Sequence, residues 1–568
     1  MTSCRAKSLA AGLAAAAALA VALPAHAQAP LSSFDPETME LAEPANPNRG
    51  ARVVVNELKA PNGESVGAFD GNHGGFPATL WTGTSAPVAR KLIPLLPAAP
   101  SSLALRGLER KLLLTAAPPP EGAVEGDRPS LVELRAERLA AMGDGDGVLA
   151  LAAAAPQSVD GPLVARAKLD ALLLAGNTKA ACDEAPKDNS LPKLTILCHF
   201  LAGRTLEGNL GLDLLRDRKD PDHAFVAAAE VVSGLPPIPA DKIKLDEATP
   251  LHVAAFAAAK LPLPEGAVAK AGPAVAKAIA LSFATPFDAR LAAGERAEAA
   301  GVMTPEHLRK LYLEATFAPD ELAAPLVKAD TAGPRAQALL FRAATDQPDP
   351  IIRAHFVAKA LDLASAKGQA VAAARVFATL LADLRPDPAL ITNAPAFARA
   401  NLALGRGDAS KWLELAKTDP AATKAVERLW PLNAVLAAEP GQPLPAQALA
   451  AWRASLDGLP PEVAARRSAG VMSSLSALGA KLPDSVWLDS LALPSGGPKP
   501  ALYALLQGSA LEARLGTTLL AALAALGEQP LDKVDTITLS EAISALSVVG
   551  QGDAARRLAI EAMLANGV

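Results

Sequence analysis

From about Ala86 to the end of the chain, short apolar stretches rich in alanine and leucine alternate with brief runs of Gly, Pro and charged residues. That spacing predicts many short α-helices and no extended sheet. Two recurring signals set the boundaries. The first is Asp or Thr followed by Pro, at Asp220-Pro221, Thr249-Pro250, Thr285-Pro286, Thr304-Pro305, Asp349-Pro350, Asp387-Pro388 and Asp419-Pro420. A side-chain oxygen there can accept from an orphan N–H of the first turn, and proline at N1 has no N–H to leave unpaired, so each pair reads as a helix start. Thr285-x-x-Asp288 and Thr538-x-x-Glu541 add the spacing of a capping box.

The second signal is an apolar stretch ending in Gly, a two- to four-residue turn and a new helix, as in "LLLAGNTKAACDEA", "FLAGRTLEGNLGLDLL", "LALGRGDASKWLEL" and "SVVGQGDAARRLAI". Glycine just past a helix end takes the left-handed conformation at no Cβ cost. Gly301, Gly333, Gly368 and Gly405 recur at intervals of 32, 35 and 37 residues, near the period of about 34 of tetratricopeptide-like helix pairs. "GRGDASKWL" (405–413) and "GQGDAARRL" (550–558) are the best internal match. The expected fold is all-α, an α-solenoid of stacked helical hairpins of tetratricopeptide or Sel1 type, with each pair leaning on its neighbours. An α/α toroid or a set of helical bundles is the alternative.

Residues 28–85 break this pattern, being Pro/Gly-rich with one β-like run at Val53 to Val55, and are expected to form an irregular arm. Three helical blocks follow, 86–235, 249–438 and 444–568, separated by "GLPPIPADKIKLDEATP" and "AAEPGQPLPAQ", with a further break at "LPSGGPKPA". Ahead of them, Arg5 and Lys7 precede an apolar run from about Leu9 to Leu23 and the small-x-small triplet Ala25-His26-Ala27. This predicts a signal peptide over 1–27, cleaved after Ala27. The run is short for a membrane span, no later one reaches spanning length, and Cys4 is misplaced for a lipid anchor. A periplasmic protein with no transmembrane segment after cleavage is expected.

Composition refines this picture. Apolar residues make up 51% of the chain and charged residues 20%, enough to bury a core, and much of the apolar share is alanine, the strongest helix former. Loss of Arg5 and Lys7 takes the formal charge from −5 to −7. That mild acidity, without a basic stripe, argues against nucleic acid as a partner.

Cys182 and Cys198 lie eight residues either side of Ser190, with Pro186 and Pro192 between them and Asn189 or Ser190 placed to cap the second helix. Residues equidistant from the turn of an antiparallel hairpin sit at similar height, so a disulfide joining paired helices is expected. No Cys-x-x-Cys is present for redox work, and the neighbours Asp183 and His199 do not complete a zinc site.

Other segments point to structure before chemistry. "DGNHGGFPATLWTGTS" (70–85) lacks phosphate-loop spacing and reads as a turn with Trp81 plugging the first helices. "GDGDG" (143–147) misses the calcium-loop carboxylates, and Arg406-Gly407-Asp408 occupies an inter-helix turn. Histidines 73, 199, 223, 252, 307 and 355 are scattered, and neither His-Glu-x-x-His nor Gly-x-Ser-x-Gly occurs. The sequence therefore assigns no catalytic, metal-ligating or cofactor-binding residue. Trp412, Trp430 and Trp452 gather late in the chain, as core plugs or, alternatively, as contacts for a partner.

"GGFPATLWTGTSAPVARKLIPLLPAAPSSLALRGLERKLLLTAAPPPEG" (74–122), the block "CDEA…LTILCHFLAGRTLEGNLGLDLLRDRKDPDHAF" and the hairpin "TLSEAISALSVVGQGDAARRLAIEAMLANG" together resemble an exported, alanine-rich helical family of alphaproteobacteria. Some of its members carry the label "antifreeze glycopeptide polyprotein", although this chain has no Ala-Ala-Thr array. The resemblance implies structure and carries no catalytic residues. The functional expectation is a periplasmic scaffold that binds an envelope protein or polymer. An envelope enzyme or accessory subunit acting on peptidoglycan or another glycan is the alternative, and ice or surface binding a weaker one. Soluble lytic transglycosylases resemble the helical part, but no Glu-Ser-aromatic run closes this chain.

Overall fold

The computed structural model describes residues 63–124, 126–155, 161–188, 190–218, 222–239, 242–491 and 497–568. The signal-peptide segment with its cleavage point at Ala27, most of the expected arm and the Val53 to Val55 run lie outside them. Among the described residues all regular structure is helical, and the only β-type pairings are the isolated bridges Phe69–Thr115, Ser85–Glu121 and Pro443–Lys481.

The first helices are α1 (Ala86–Leu92), α2 (Leu103–Leu114), α3 (Leu131–Ala141), α4 (Gly145–Ala154) and α5 (Pro162–Leu174). Next come α6 (Thr178–Glu184), α7 (Pro192–Leu201), α8 (Thr205–Asp217), α9 (His223–Val232) and α10 (Pro250–Ala258). The middle holds α11 (Glu265–Ala269), α12 (Pro273–Leu281), α13 (Phe287–Ala299), α14 (Pro305–Glu314), α15 (Pro319–Ala323) and α16 (Pro325–Lys328). It continues through α17 (Ala336–Asp346), α18 (Pro350–Ala366), α19 (Ala370–Val376), α20 (Ala378–Asp383), α21 (Ala394–Ala403) and α22 (Ala409–Lys417). The last are α23 (Thr423–Ala437), α24 (Ala446–Ser455), α25 (Pro461–Ala477), α26 (Pro500–Leu511), α27 (Leu515–Leu526), α28 (Thr536–Val548) and α29 (Gly552–Ala565).

Several starts follow the cap logic. Thr249, Thr304 and Asp349 each accept from N–H groups of the turn they precede, with proline at the head of the helix. Asp387 and Asp419 do the same for short 3₁₀ turns. Two expectations shift by a residue or more. Thr285 does not cap, since α13 starts at Phe287 after Pro286 and shows no side-chain cap. Thr538 lies inside α28, where Asp535 accepts from the N–H groups of Ile537 and Thr538. Asp220-Pro221 and Asn189 fall outside the described residues; Asp222 caps α9, and Leu191 precedes α7 without a side-chain cap. The matched turns at 405 and 550 are alike in backbone: Gly405 and Gly550 have φ of 67° and 78°, each closing one helix before α22 and α29 begin.

Consecutive helices pair as hairpins, among them α7–α8, α12–α13, α17–α18, α21–α22 and α26–α27, and stacking runs on from α3 to α5 to α10 and from α19 to α21 to α23. The described residues form one compact unit that takes in those on both sides of 234–250 and 437–447. No described helix is long and apolar enough to cross a membrane.

At the ends, the rule that each pair leans only on its neighbours fails. Helix α27 packs against α1 and α2, and α29 packs against α2, α19, α21, α23 and α25 as well as α28. The described part of the expected arm belongs to this closure: Phe76, Leu80 and Trp81 are all buried. Trp81 plugs the interface with α27, where a Cβ on Gly516 would stand 2.6 Å from the Trp81 ring and 2.7 Å from the Leu80 carbonyl oxygen. The Gly516 N–H donates to that carbonyl at 2.9 Å. Further along, the Glu528 carboxylate accepts from the N–H of Ala98 at 2.6 Å, and Ser101 Oγ donates to the Gln529 carbonyl at 2.8 Å. Arg135, fully buried, donates to the carbonyls of Leu113, Val66 and Thr115, tying the segment around Val66 to the end of α2.

Candidate functional site

The closure places the start of α2 against the middle of α29, with the N-terminal ends of α19 and the far end of α13 beside them. Two adjoining cavities, of about 560 and 640 Å³, open there and share Leu103, Val371 and Glu561 in their walls. Volumes of this order are those of small-ligand clefts.

Glu561 is the hinge of the arrangement. Its carboxylate accepts from Ser102 Oγ at 2.5 Å and from the Ala104 N–H at 3.3 Å, so a side chain of the last helix caps the first turn of α2. Burial pushes its pKa up against those hydrogen bonds. Arg106, one turn into α2, donates from Nη2 to the Met142 carbonyl at 2.8 Å and from Nε to the Gly301 carbonyl at 3.2 Å. Gly301 permits that approach: a Cβ there would lie 2.8 Å from Leu103 and 2.9 Å from Arg106, and its φ of +73° suits glycine. The Nη1 of Arg106 is buried and has no hydrogen-bond partner.

Two further carboxylates are sealed in the same neighbourhood. Burial pushes Glu109 up to about 8, with Arg138 and Arg106 opposing, and neither of its oxygens is hydrogen-bonded. Burial likewise pushes Glu298 up to about 7, opposed by Arg375, whose Nη1 stands 3.2 Å away in an ion pair too poorly aligned to count as a hydrogen bond. Buried groups of this kind titrate near neutrality and so can exchange protons at working pH. Beside Glu298, Glu295 accepts from Tyr312 Oη at 2.9 Å, and burial raises its pKa too. The space against this acidic pair is about 20 Å³, room for roughly one water and none for a sugar ring.

A second constellation lines a cavity of about 250 Å³ between α5, α7 and α10. His252 Nε2 lies 2.8 Å from Asp222 Oδ1, and its Nδ1 lies 2.9 Å from Thr249 Oγ1. The order Asp–His–Thr resembles a nucleophile relay, but Thr249 Oγ1 also accepts from the His252 N–H and the Thr249 N–H points at Nδ1. With both the hydroxyl and the ring nitrogen occupied, the group works as a capping box at the start of α10. Burial pushes the Asp222 carboxyl up, but hydrogen bonds from His252 and Lys193 outweigh it and hold the group well below the carboxylate range.

The residues singled out in the sequence are dispersed. Cys182 on α6 and Cys198 on α7 are joined in a disulfide with their Cα atoms 5.5 Å apart, away from the cavities. Trp412 and Trp452 are 2% and 1% exposed, so as core plugs they offer no surface to a partner. Trp430 is half-buried and stacks obliquely on Trp452 with centroids 6.2 Å apart. His73 is exposed in its turn and bonds to Asp70 at 2.7 Å. Asp144 of "GDGDG" caps α4 and pairs with Arg110 at 2.6 Å. Arg406 donates to the Ala378 carbonyl, and Asp408 pairs with Lys411. No group of His, Cys, Asp and Glu that could hold a metal ion occurs among the described residues.

Sequence reading passed over Arg106, Glu109, Glu298, Arg375 and Glu561. A signal for the first two was present: in "LALRGLERKLLL" both fall in register with Leu105, Leu108 and Leu112, on the stripe a helix buries. Compared with known proteins, the chain matches no family model, no curated protein and no solved structure.

Proposed function

We propose that the chain is an exported, periplasmic binding scaffold of the alanine-rich helical family it resembles, a tetratricopeptide- or Sel1-like solenoid without chemistry of its own. The observation that carries this reading is the pair of adjoining cavities walled by helices from both ends of the chain. A helical array that closes on itself around such space holds a ligand or partner segment without moving parts. The partner class is an envelope protein or polymer. Crosslinking in intact envelopes followed by purification of the tagged chain is expected to return the same partner in independent preparations. Repeated failure to enrich one counts against the scaffold.

A second reading, an enzyme or accessory subunit acting on peptidoglycan or another envelope glycan, draws on Glu298, whose pKa near 7 suits a general acid. The cramped space beside the Glu295–Glu298 pair weighs against it. Release of soluble muropeptides from sacculi by the purified protein, lost in Glu298→Gln, is its test.

A further inference from the structure

The larger cavity has a charge character that scaffolding alone does not require. Its walls carry five arginines, Arg106 and Arg110 from α2, Arg375 from α19, and Arg556 and Arg557 from α29, against two lining carboxylates, Asp553 and Glu561. Three of the five are compensated. Arg110 pairs with Asp144, Arg375 with Glu298, and Arg556 stands 3.7 Å from Asp553. The other two are not: Arg106 keeps an unpartnered buried Nη1, and Arg557 makes no ion pair or hydrogen bond with any described residue. They come from helices at opposite ends of the chain and meet only because the array closes. Of the two lining carboxylates, Glu561 is already engaged by Ser102 and Ala104. Leu404, Leu436 and Ile560 supply an apolar wall beside the guanidinium groups.

We propose that this chamber binds an oxyanion, a carboxylate or phosphate on a small apolar stem, between Arg106 and Arg557. The proposal rests on the reading of the chain as a binding scaffold and names what the scaffold holds. An oxyanion accepts from the fork of a guanidinium better than any neutral group. It would also set a negative charge beside the Arg106 guanidinium, whose hydrogen bonds go only to the neutral Met142 and Gly301 carbonyls. The volume admits a few residues of peptide or a phosphorylated headgroup, not a folded domain.

The test uses the full chain at low ionic strength, titrated calorimetrically with sodium phosphate and, separately, with tri-alanine bearing a free or an amidated C terminus. Saturable binding of phosphate identifies a phosphate ester as the source. Binding of free tri-alanine but not its amide identifies a peptide carboxylate. In either case Arg557→Glu is expected to weaken binding by about tenfold or more, the size of one charge-assisted hydrogen bond. Lys499→Glu, an equal change of charge on an exposed residue that does not line the chamber, leaves it unchanged. Because Arg557 is exposed, the variant keeps its fold, which circular dichroism checks. Heats no larger than those of sodium chloride for both probes, or parental affinity in folded Arg557→Glu, overturn the proposal. If envelope crosslinking still captures the parental partner in that case, the chamber assignment fails while the scaffold reading stands.

Discussion

The disulfide hairpin and the closure solve the same problem, holding one short helix against another, by opposite means. Cys182 and Cys198 are 16 residues apart and bridge neighbouring helices α6 and α7. The closure joins residues more than 400 positions apart, as in Ser102–Glu561 and Ala98–Glu528, with apolar plugs, backbone hydrogen bonds and buried charge. A local pairing loses little chain entropy on forming and a covalent bond can hold it. A remote pairing must recover the entropy of a long loop from many contacts at once. The two adjoining cavities, Arg106 and Arg557, and the raised carboxylates Glu109 and Glu561 sit on the remote side.

The largest effect is expected where that remote side buries an indole. Trp81→Ala removes a buried indole wedged against Gly516 and is expected to cost about 3–5 kcal/mol in urea unfolding. If the closure folds as one cooperative unit with the central helices, the loss appears as a lower midpoint with the slope unchanged. A new early transition would instead mark the ends as separable from the middle.

The matching cut on the local side, Cys182→Ser with Cys198→Ser, is expected to cost about 3 kcal/mol, the chain-entropy value for so short a loop. The effect on oxyanion binding sharpens the contrast. The hairpin lies away from the chamber, so affinity is expected to hold in the cysteine variant and to fall in Trp81→Ala.

These two sites differ as much in legibility as in mechanics. The hairpin could be read from the chain because proline positions, the equal distances from Ser190 and the cysteines are all local. Trp81 could be recognised as a plug, yet nothing near it in sequence identifies α27 as the surface it plugs. Gly516 sits inside "ARLGTTLLAALAAL", where a glycine in an alanine-rich helix carries no sign of a remote indole. The chamber was hidden for the same reason, since its walls come from α2, α19 and α29. The one visible trace was charge on a buried stripe, and in α2 that trace is Arg106 and Glu109. The late tryptophans could be read either as core plugs or as partner contacts, and the packing of Trp412 on Phe397, centroids 4.7 Å apart, shows why a large ring among alanines goes inward.

Buried carboxylates give the remote side a pH dependence opposite in sign to that of Asp222, whose lowered pKa, held by Lys193 of α7 and by His252, favours stability at higher pH. Glu109 and Glu298 have folded pKa values of about 8 and about 7, raised from 4.5. Between pH 4.5 and those values these two groups bind more protons in the folded chain than in the unfolded one, so the stability they contribute is greatest below pH 4.5 and is lost as pH rises through 7 and 8. Each unit by which a folded pKa exceeds the unfolded one contributes about 1.4 kcal/mol to that decline. Glu109→Gln keeps the shape, cannot ionise and is expected to flatten the profile, standing level with the parent at pH 4.5 and above it at pH 8. A parallel profile in the variant would mean that Arg106 and Arg138 hold Glu109 charged.

The smallest effect is expected back on the local side, at the outer face of α8. This helix packs on α7, where Gly208 and Gly211 let Phe200 and Ile196 approach to distances a Cβ would not allow. On its other face Leu206, Leu210 and Leu214 are 85%, 63% and 48% exposed, one turn apart. Leu206→Ser therefore removes almost no buried area and is expected to change stability by less than about 0.5 kcal/mol. The same substitution in a region closed by remote contacts would not be silent, so its silence here is what locality predicts. A loss of several times that size would show that some other part of the chain covers α8 in solution. The disulfide hairpin would then be tied to a distant segment as the chamber is, and the division between a locally held and a remotely held half would dissolve.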